Sequence, residues 1–419
     1  MHTRHNPLFT GLFLMALGCA LPACESEDPP LTPVDGGRAD SGSMDAGFDL
    51  GAEMDAGTDL GVEADAGDPG ADLGTDVDAG PVDAGSPDAG PRVCERAPGD
   101  YFPDVTMRDT TAWPACISDE GVYRPISTGP VGGVTRADQY RQIVGLLFDP
   151  ARDPSTDDFL AARTLYVNTA DPNAGIAIRI GRRADFHYDD TAPPGTDCTA
   201  PGAAMMYPDF CVGPARLEPL INTAFTLGST PGIPNSRIPA ALIEAGLLWF
   251  QYVSVLSEVR GCTNTLSNCD SAWAYYTGGA DARGGIGFGA YVQAADPLAH
   301  DRAWDAILAI RCWRDLDTAV PAVDLARREA AWEQVDRATL AGLVTIVRLR
   351  TARVAATTGT ERTAHWTFAR TLIGFLDRAA RLTDPAAADV LVAQAMRTDA
   401  ATVDVPAVLA ALDAVYGCP

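Results

Sequence analysis

In an otherwise apolar stretch, polar side chains fall in step: Arg237, then Glu244, Gln251 and Glu258, seven residues apart. Seven residues is nearly two helical turns, so the row occupies one stripe of a helix. Such a stripe either faces water or lines an interior site. An interior carboxylate needs an arginine or a metal beside it. His365 lies in line with Phe368, Leu372, Phe375 and Ala379, one turn after Glu361. It reads as a core histidine with a local acceptor or, with Glu361, as a metal-ligating pair. Glu329, Glu333 and Asp336 stand at i, i+4 and i+7, and Asp301 and Asp305 stand beside His300. Like charges at these spacings repel. Arg328 and Arg337 would relieve the first cluster on a surface face, as would a hard cation such as ferric or calcium ion. Carboxylates suit hard cations, and mixed carboxylate–imidazole sets suit iron. The chemistry expected of these residues is capture of a metal ion, most readily iron, or of a small ligand.

Enzyme signatures are missing from the sequence. It contains no His-Glu-x-x-His, no Gly-x-Ser-x-Gly and no Glu-x-x-His. The last absence argues against a ferritin-like di-iron bundle. The glycines of "GGADARGGIGFGAY" (278–291) follow no clear strand, so they make a weak dinucleotide fingerprint. All 31 basic residues are arginine. That excludes a phosphate-loop lysine, a Schiff-base lysine and a Ser-x-x-Lys pair. The expectation is a protein that binds and does not catalyse; the alternatives are an envelope or cell-surface interaction module without metal and, behind it, an extracytoplasmic hydrolase.

The net charge of −25 argues against nucleic-acid binding. Residues 25–93 hold 18 acids and two arginines, with Asp-x-Gly triplets throughout. Glycine and aspartate disfavour helix and strand, and too few apolar groups offset the cost of ordering. Residues 24–93 therefore read as a disordered acidic linker whose ends average ~45 Å apart. Residues 1–23 have a positive start and an apolar run too short to span a bilayer comfortably, which marks a signal peptide. They end in Leu21-Pro22-Ala23 before Cys24. That segment resembles a bacterial lipobox, in which Cys24 would be lipidated. The expected address is the bacterial cell envelope: lipid-anchored, at an outer membrane, facing the periplasm or the outside.

Beyond Cys24 and Cys19 of the signal segment, eight cysteines remain and suit an exported, disulfide-bonded chain. Cys198 with Cys211 and Cys262 with Cys269 are the expected local pairs. Cys94 with Cys116 and Cys312 with Cys418 would complete the set. Helical periodicity dominates residues 94–419. Helices are expected over 135–149, 155–167, 214–227, 239–260, 296–315, 321–356, 360–382, 385–397 and 405–416. Asp296-Pro297 is a strong helix start, and residues 94–134 and 185–213 read as loops. The fold class is mostly α: a bundle-like helical domain with a loop-rich, disulfide-stapled N-terminal part. Its length allows one large core or two packed subdomains, 94–213 and 214–419.

The stretch "CDSAWAYYTGGADARGGIGFGAYV" (269–292) resembles the Fea-type low-iron-inducible periplasmic proteins of algae and their bacterial relatives. "RLEPLINTAFTLG" (216–228) and "AHWTFARTLIGFL" (364–376) extend the likeness over most of 214–419. The resemblance implies a helical extracytoplasmic protein of iron assimilation. By position it points to Asp270, Trp273, Tyr275, Tyr276, Arg283, Gly287 and Phe288, with Tyr275 and Tyr276 as phenolate ligands or as packing residues. Iron binding in that family is linked to Glu-x-x-Glu, which residues 94–419 lack; Glu333-x-x-Asp336 is the nearest match. The chain is less similar to imelysin-like proteins, whose Gly-x-His-x-x-Glu motif is missing.

Overall fold

The computed structural model describes residues 96–103, 112–149, 151–168, 170, 175–280 and 285–417. The signal segment, the linker, Cys24, Cys94, Arg283 and Cys418 lie outside the described residues. In chain order the helices are α1 (Gly132–Leu147), α2 (Thr156–Val167), α3 (Ile176–Ile180), α4 (Ala203–Met206), α5 (Glu218–Gly228), α6 (Arg237–Gly261) and α7 (Ser267–Thr277). They continue as α8 (Phe288–Ala295), α9 (Pro297–Leu316), α10 (Leu325–Ala356), α11 (Gly359–Thr383), α12 (Pro385–Ala395) and α13 (Val405–Tyr416). No strand occurs among the described residues, so the class is mostly α.

Local chemistry sets the helix starts. Asp296 accepts from the backbone N–H of Leu298 and Ala299, and Pro297 supplies the first residue of α9. Asp384 and Pro385 repeat the device for α12. Ser155 and Asp158 form a reciprocal capping box on α2. α10 begins four residues later than the periodicity suggests. Asp317 accepts from the N–H groups of Val323 and Asp324 and folds that segment into a turn, and Asp324 then caps the helix. The stretches 267–277 and 288–295, outside the expected helices, form α7 and α8.

α6 is the centre of the domain, packed by α5, α7, α10 and α11. Of its 25 residues, 19 are buried. It is apolar and long enough to cross a membrane, but 89% of its most apolar window is buried inside the domain, which accounts for that composition. One hydrophobic core takes side chains from Tyr101 through Val415, and a small satellite gathers Phe210 and Ala203 around Cys198–Cys211. The local disulfides Cys198–Cys211 and Cys262–Cys269 form as expected. The expected pairs Cys94–Cys116 and Cys312–Cys418 are corrected. Cys116 bonds Cys312, because the 3-10 turn Ile117–Glu120 packs on α9 and brings the two cysteines together.

Candidate functional site: buried polar groups along the central helix

The polar row of α6 faces inward. Glu244, Gln251 and Glu258 are buried, and each is matched from another element. The Glu244 carboxylate takes a hydrogen bond from Arg350 of α10 at 2.5 Å and from the Tyr291 hydroxyl of α8 at 2.8 Å. The other Arg350 nitrogen, Nη1, lies 3.4 Å from His365 Nδ1. Burial first, then the Arg350 guanidinium, push the His365 imidazole down to about 4, so it is neutral at pH 7. Glu361 comes no closer to it than 3.6 Å. Halfway along the row, Gln251 Oε1 accepts the Phe288 N–H at 3.2 Å and so fixes the start of α8. At the far end Arg183 donates to Glu258 at 2.7 Å, to Ser257 Oγ at 3.1 Å and to the Tyr275 hydroxyl at 3.3 Å. Gly213 holds the Arg183 backbone in place. Its N–H meets the Arg183 carbonyl at 3.0 Å, and a Cβ there would come within 1.9 Å of the Ile180 carbonyl.

A second polar group lies on another side of α6. The His187 imidazole sits between Asp185 (2.7 Å) and Asp336 (2.9 Å), and Asp336 also accepts from the Tyr252 hydroxyl at 2.5 Å. Burial alone would lower the His187 pKa. The hydrogen bonds and charges of the two aspartates outweigh it and raise the group to about 10, so it is an imidazolium at pH 7. Trp332 and Tyr252 flank the ring.

Glu244, Glu258, Asp270, Tyr275, Tyr276, Glu329, Glu333 and His365, the residues expected to hold a metal, do not form one site. Glu244 and His365 meet only through Arg350. Glu258 lies fourteen residues from Glu244 on α6, ~21 Å along the axis. Asp270 accepts from the Tyr123 hydroxyl and from the N–H groups of Ile126 and Ser127, and so pins the segment before α1. The Tyr275 hydroxyl is bonded by Arg183. The Tyr276 hydroxyl pairs with His300 at 3.0 Å, and burial raises its pKa well above the ordinary phenol value, which disfavours a phenolate. Glu329 is half-buried and pairs with Arg328, Glu333 is exposed and lies near Arg337, while Asp336 of the same face turns inward to His187. No group of three or more histidine, cysteine, aspartate or glutamate side chains able to hold a metal occurs among the described residues. The donors do not fit an iron ion. The lone pairs of Glu244, Glu258, Asp270 and Tyr275 are engaged by guanidiniums, hydroxyls and backbone N–H groups, and Arg350 beside His365 would repel a cation.

A cavity of about 710 Å³ lies between α9, α10 and α13. Arg96, Arg337 and Arg348 on its wall are paired with Asp305, Asp100 and Asp413. Sequence reasoning missed His187, Arg183, Tyr252 and Arg350. Arg183 lies 75 residues from Glu258, and Arg350 lies 106 from Glu244. No local spacing could signal such pairs. Comparison with protein families, curated proteins and solved structures finds no match for this chain.

Proposed function

We propose that the chain is an envelope-anchored binding protein: Cys24 carries the lipid, residues 24–93 space the domain from the membrane, and the helical domain captures a non-metal ligand without catalysis. One observation carries this reading. Two of the three histidines in the described part are held far from neutrality on opposite sides, His365 at about 4 and His187 at about 10. A general acid or base works best with a pKa near the working pH, so neither group exchanges protons readily at pH 7. The carboxylates Glu244 and Glu258 are likewise committed to ion pairs. Buried pairs of this kind add little net stability over apolar packing, but they fix one arrangement of helices. A binding surface needs such a rigid frame.

The iron-assimilation reading rests on the resemblance, and it would require a metal to displace these arginines. The test is dialysis of the whole chain, disulfides intact, against ferrous, ferric, zinc and calcium ions in turn, followed by elemental analysis. No stoichiometric metal is expected. One tightly held iron per chain, lost on Glu244→Ala or His365→Ala, would overturn the proposal in favour of iron capture.

A further inference from the structure

Around Arg179 of α3 positive charge is in excess: the Arg136 and Arg183 guanidiniums act on it, and Glu258 is the carboxylate that acts against them. That acid is bonded to Arg183, and Arg183 Nε still meets no acceptor among the described residues. Arg136 is more isolated. It is only 6% exposed, and its buried Nε has no hydrogen-bond partner. Arg179 is half-buried at the rim. Burial first, then the Arg136 guanidinium, push its pKa below the ordinary arginine value, with Arg183 adding to the effect. A buried, unpartnered guanidinium is costly. By contrast, Arg96, Arg337 and Arg348 on the wall of the α9–α10–α13 cavity each pair with an aspartate.

The start of α1 adds a second, independent donor set. Val131 gives it no side-chain cap, and its first two residues are Gly132 and Gly133. Free N–H groups at a helix start carry partial positive charge and bind anions. The Arg136 side chain folds back toward this turn: a Cβ on Gly132 would come within 2.9 Å of its Nη1. A Cβ on Gly133 would meet Ala274 Cβ at 2.9 Å and the Ser271 carbonyl at 3.1 Å. The glycine pair therefore lets the turn lie close to α7 on one side and to the guanidinium on the other. Gly132 is exposed, so solvent reaches the place.

We propose that Arg136 and the open first turn of α1, with Arg179 beside them, form a binding site for a small oxyanion: the carboxylate or phosphate group of a soluble ligand. The planar five-donor fork of arginine matches both groups. This assignment rests on the reading of the domain as a binding protein and names the chemistry of its ligand.

The test is calorimetric titration of the whole chain, disulfides intact, with inorganic phosphate and separately with citrate, at neutral pH and low salt. Saturable one-to-one binding of at least one probe is expected. It should weaken at least tenfold in Arg136→Gln and in Arg179→Gln, and weaken as sodium chloride is raised. The preferred probe tells a phosphate ligand from a carboxylate ligand. Without probe, Arg136→Gln should melt no lower than the parent, because it removes an unpaired buried charge; a merely structural arginine would give a lower melting temperature. Absence of saturable binding by both probes, binding unchanged in both variants, or a destabilised Arg136→Gln would overturn the site. Such a failure leaves the binding-protein reading standing, since stoichiometric iron is what overturns that.

Discussion

Glu258→Gln probes the least balanced end of the polar row. Glu258 and Arg183 are 8% and 7% exposed, so neither can turn to water without moving the helices around it. Removing the acid leaves Arg183 buried with Arg179 in its field, and breaking such a pair costs about 3–5 kcal/mol. For a domain of this size each kcal/mol lowers the melting temperature by roughly 2 °C, so the variant should melt about 6–10 °C lower. Arg183→Met should cost less, about 1–3 kcal/mol, because Arg179 still lies within the field of Glu258 and keeps that acid compensated. Calorimetry in phosphate-free buffer, with urea midpoints as a second measure, reads both variants. A loss below about 2 °C for Glu258→Gln, or a larger loss for Arg183→Met than for Glu258→Gln, would refute the claim of excess positive charge.

The two locked histidines give opposite pH limbs, read as urea midpoints against pH. The native His365 pKa is depressed, so the unfolded chain binds a proton that the native state refuses. Stability should therefore fall by about 1–3 kcal/mol as pH drops from about 6.5 to 4, and His365→Gln should flatten that limb. His187 is the reverse case: its stabilisation is complete below pH 6.5 and is lost as pH rises toward its native value of about 10. His187→Gln should remove that alkaline loss. Peptide mapping without reductant should recover Cys116 linked to Cys312. Their separation of 196 residues makes this bond worth up to about 5 kcal/mol in chain entropy. Cys24→Ala should move the protein from the membrane fraction to the soluble fraction.

What the sequence disclosed was what a helix writes locally. Asp296-Pro297 marked the start of α9 because cap and proline are neighbours. The i+7 row of α6 was visible as a row because a stripe is a property of one helix. Whether it faced inward was open, and the answer lay in Arg350 and Arg183, which arrive from distant segments. α7 was hidden because it is buried on most sides, with eight of its eleven residues inside, so it shows little contrast between faces. The start of α10 was misplaced because Asp317, eight residues upstream, decides it. Asp336 belonged by spacing to an acidic surface face, and only its tertiary partners, His187 and Tyr252, draw it inside.

The way the chain enters the domain has a mechanical consequence. Arg96 is tied to Asp305, Asp100 to Arg337, and the Tyr101 backbone to both ends of the Gln334 amide, after which Cys116 is covalently joined to α9. A pull arriving from the N-terminal side would break these contacts one after another, like a zip, and then stop at the disulfide. At most about twenty residues, ~70 Å of chain, can be drawn out before the load passes into α9 at the heart of the fold. The entry thus behaves as a short shock absorber backed by a covalent stop, which keeps the tension off the segment between Cys116 and Cys312.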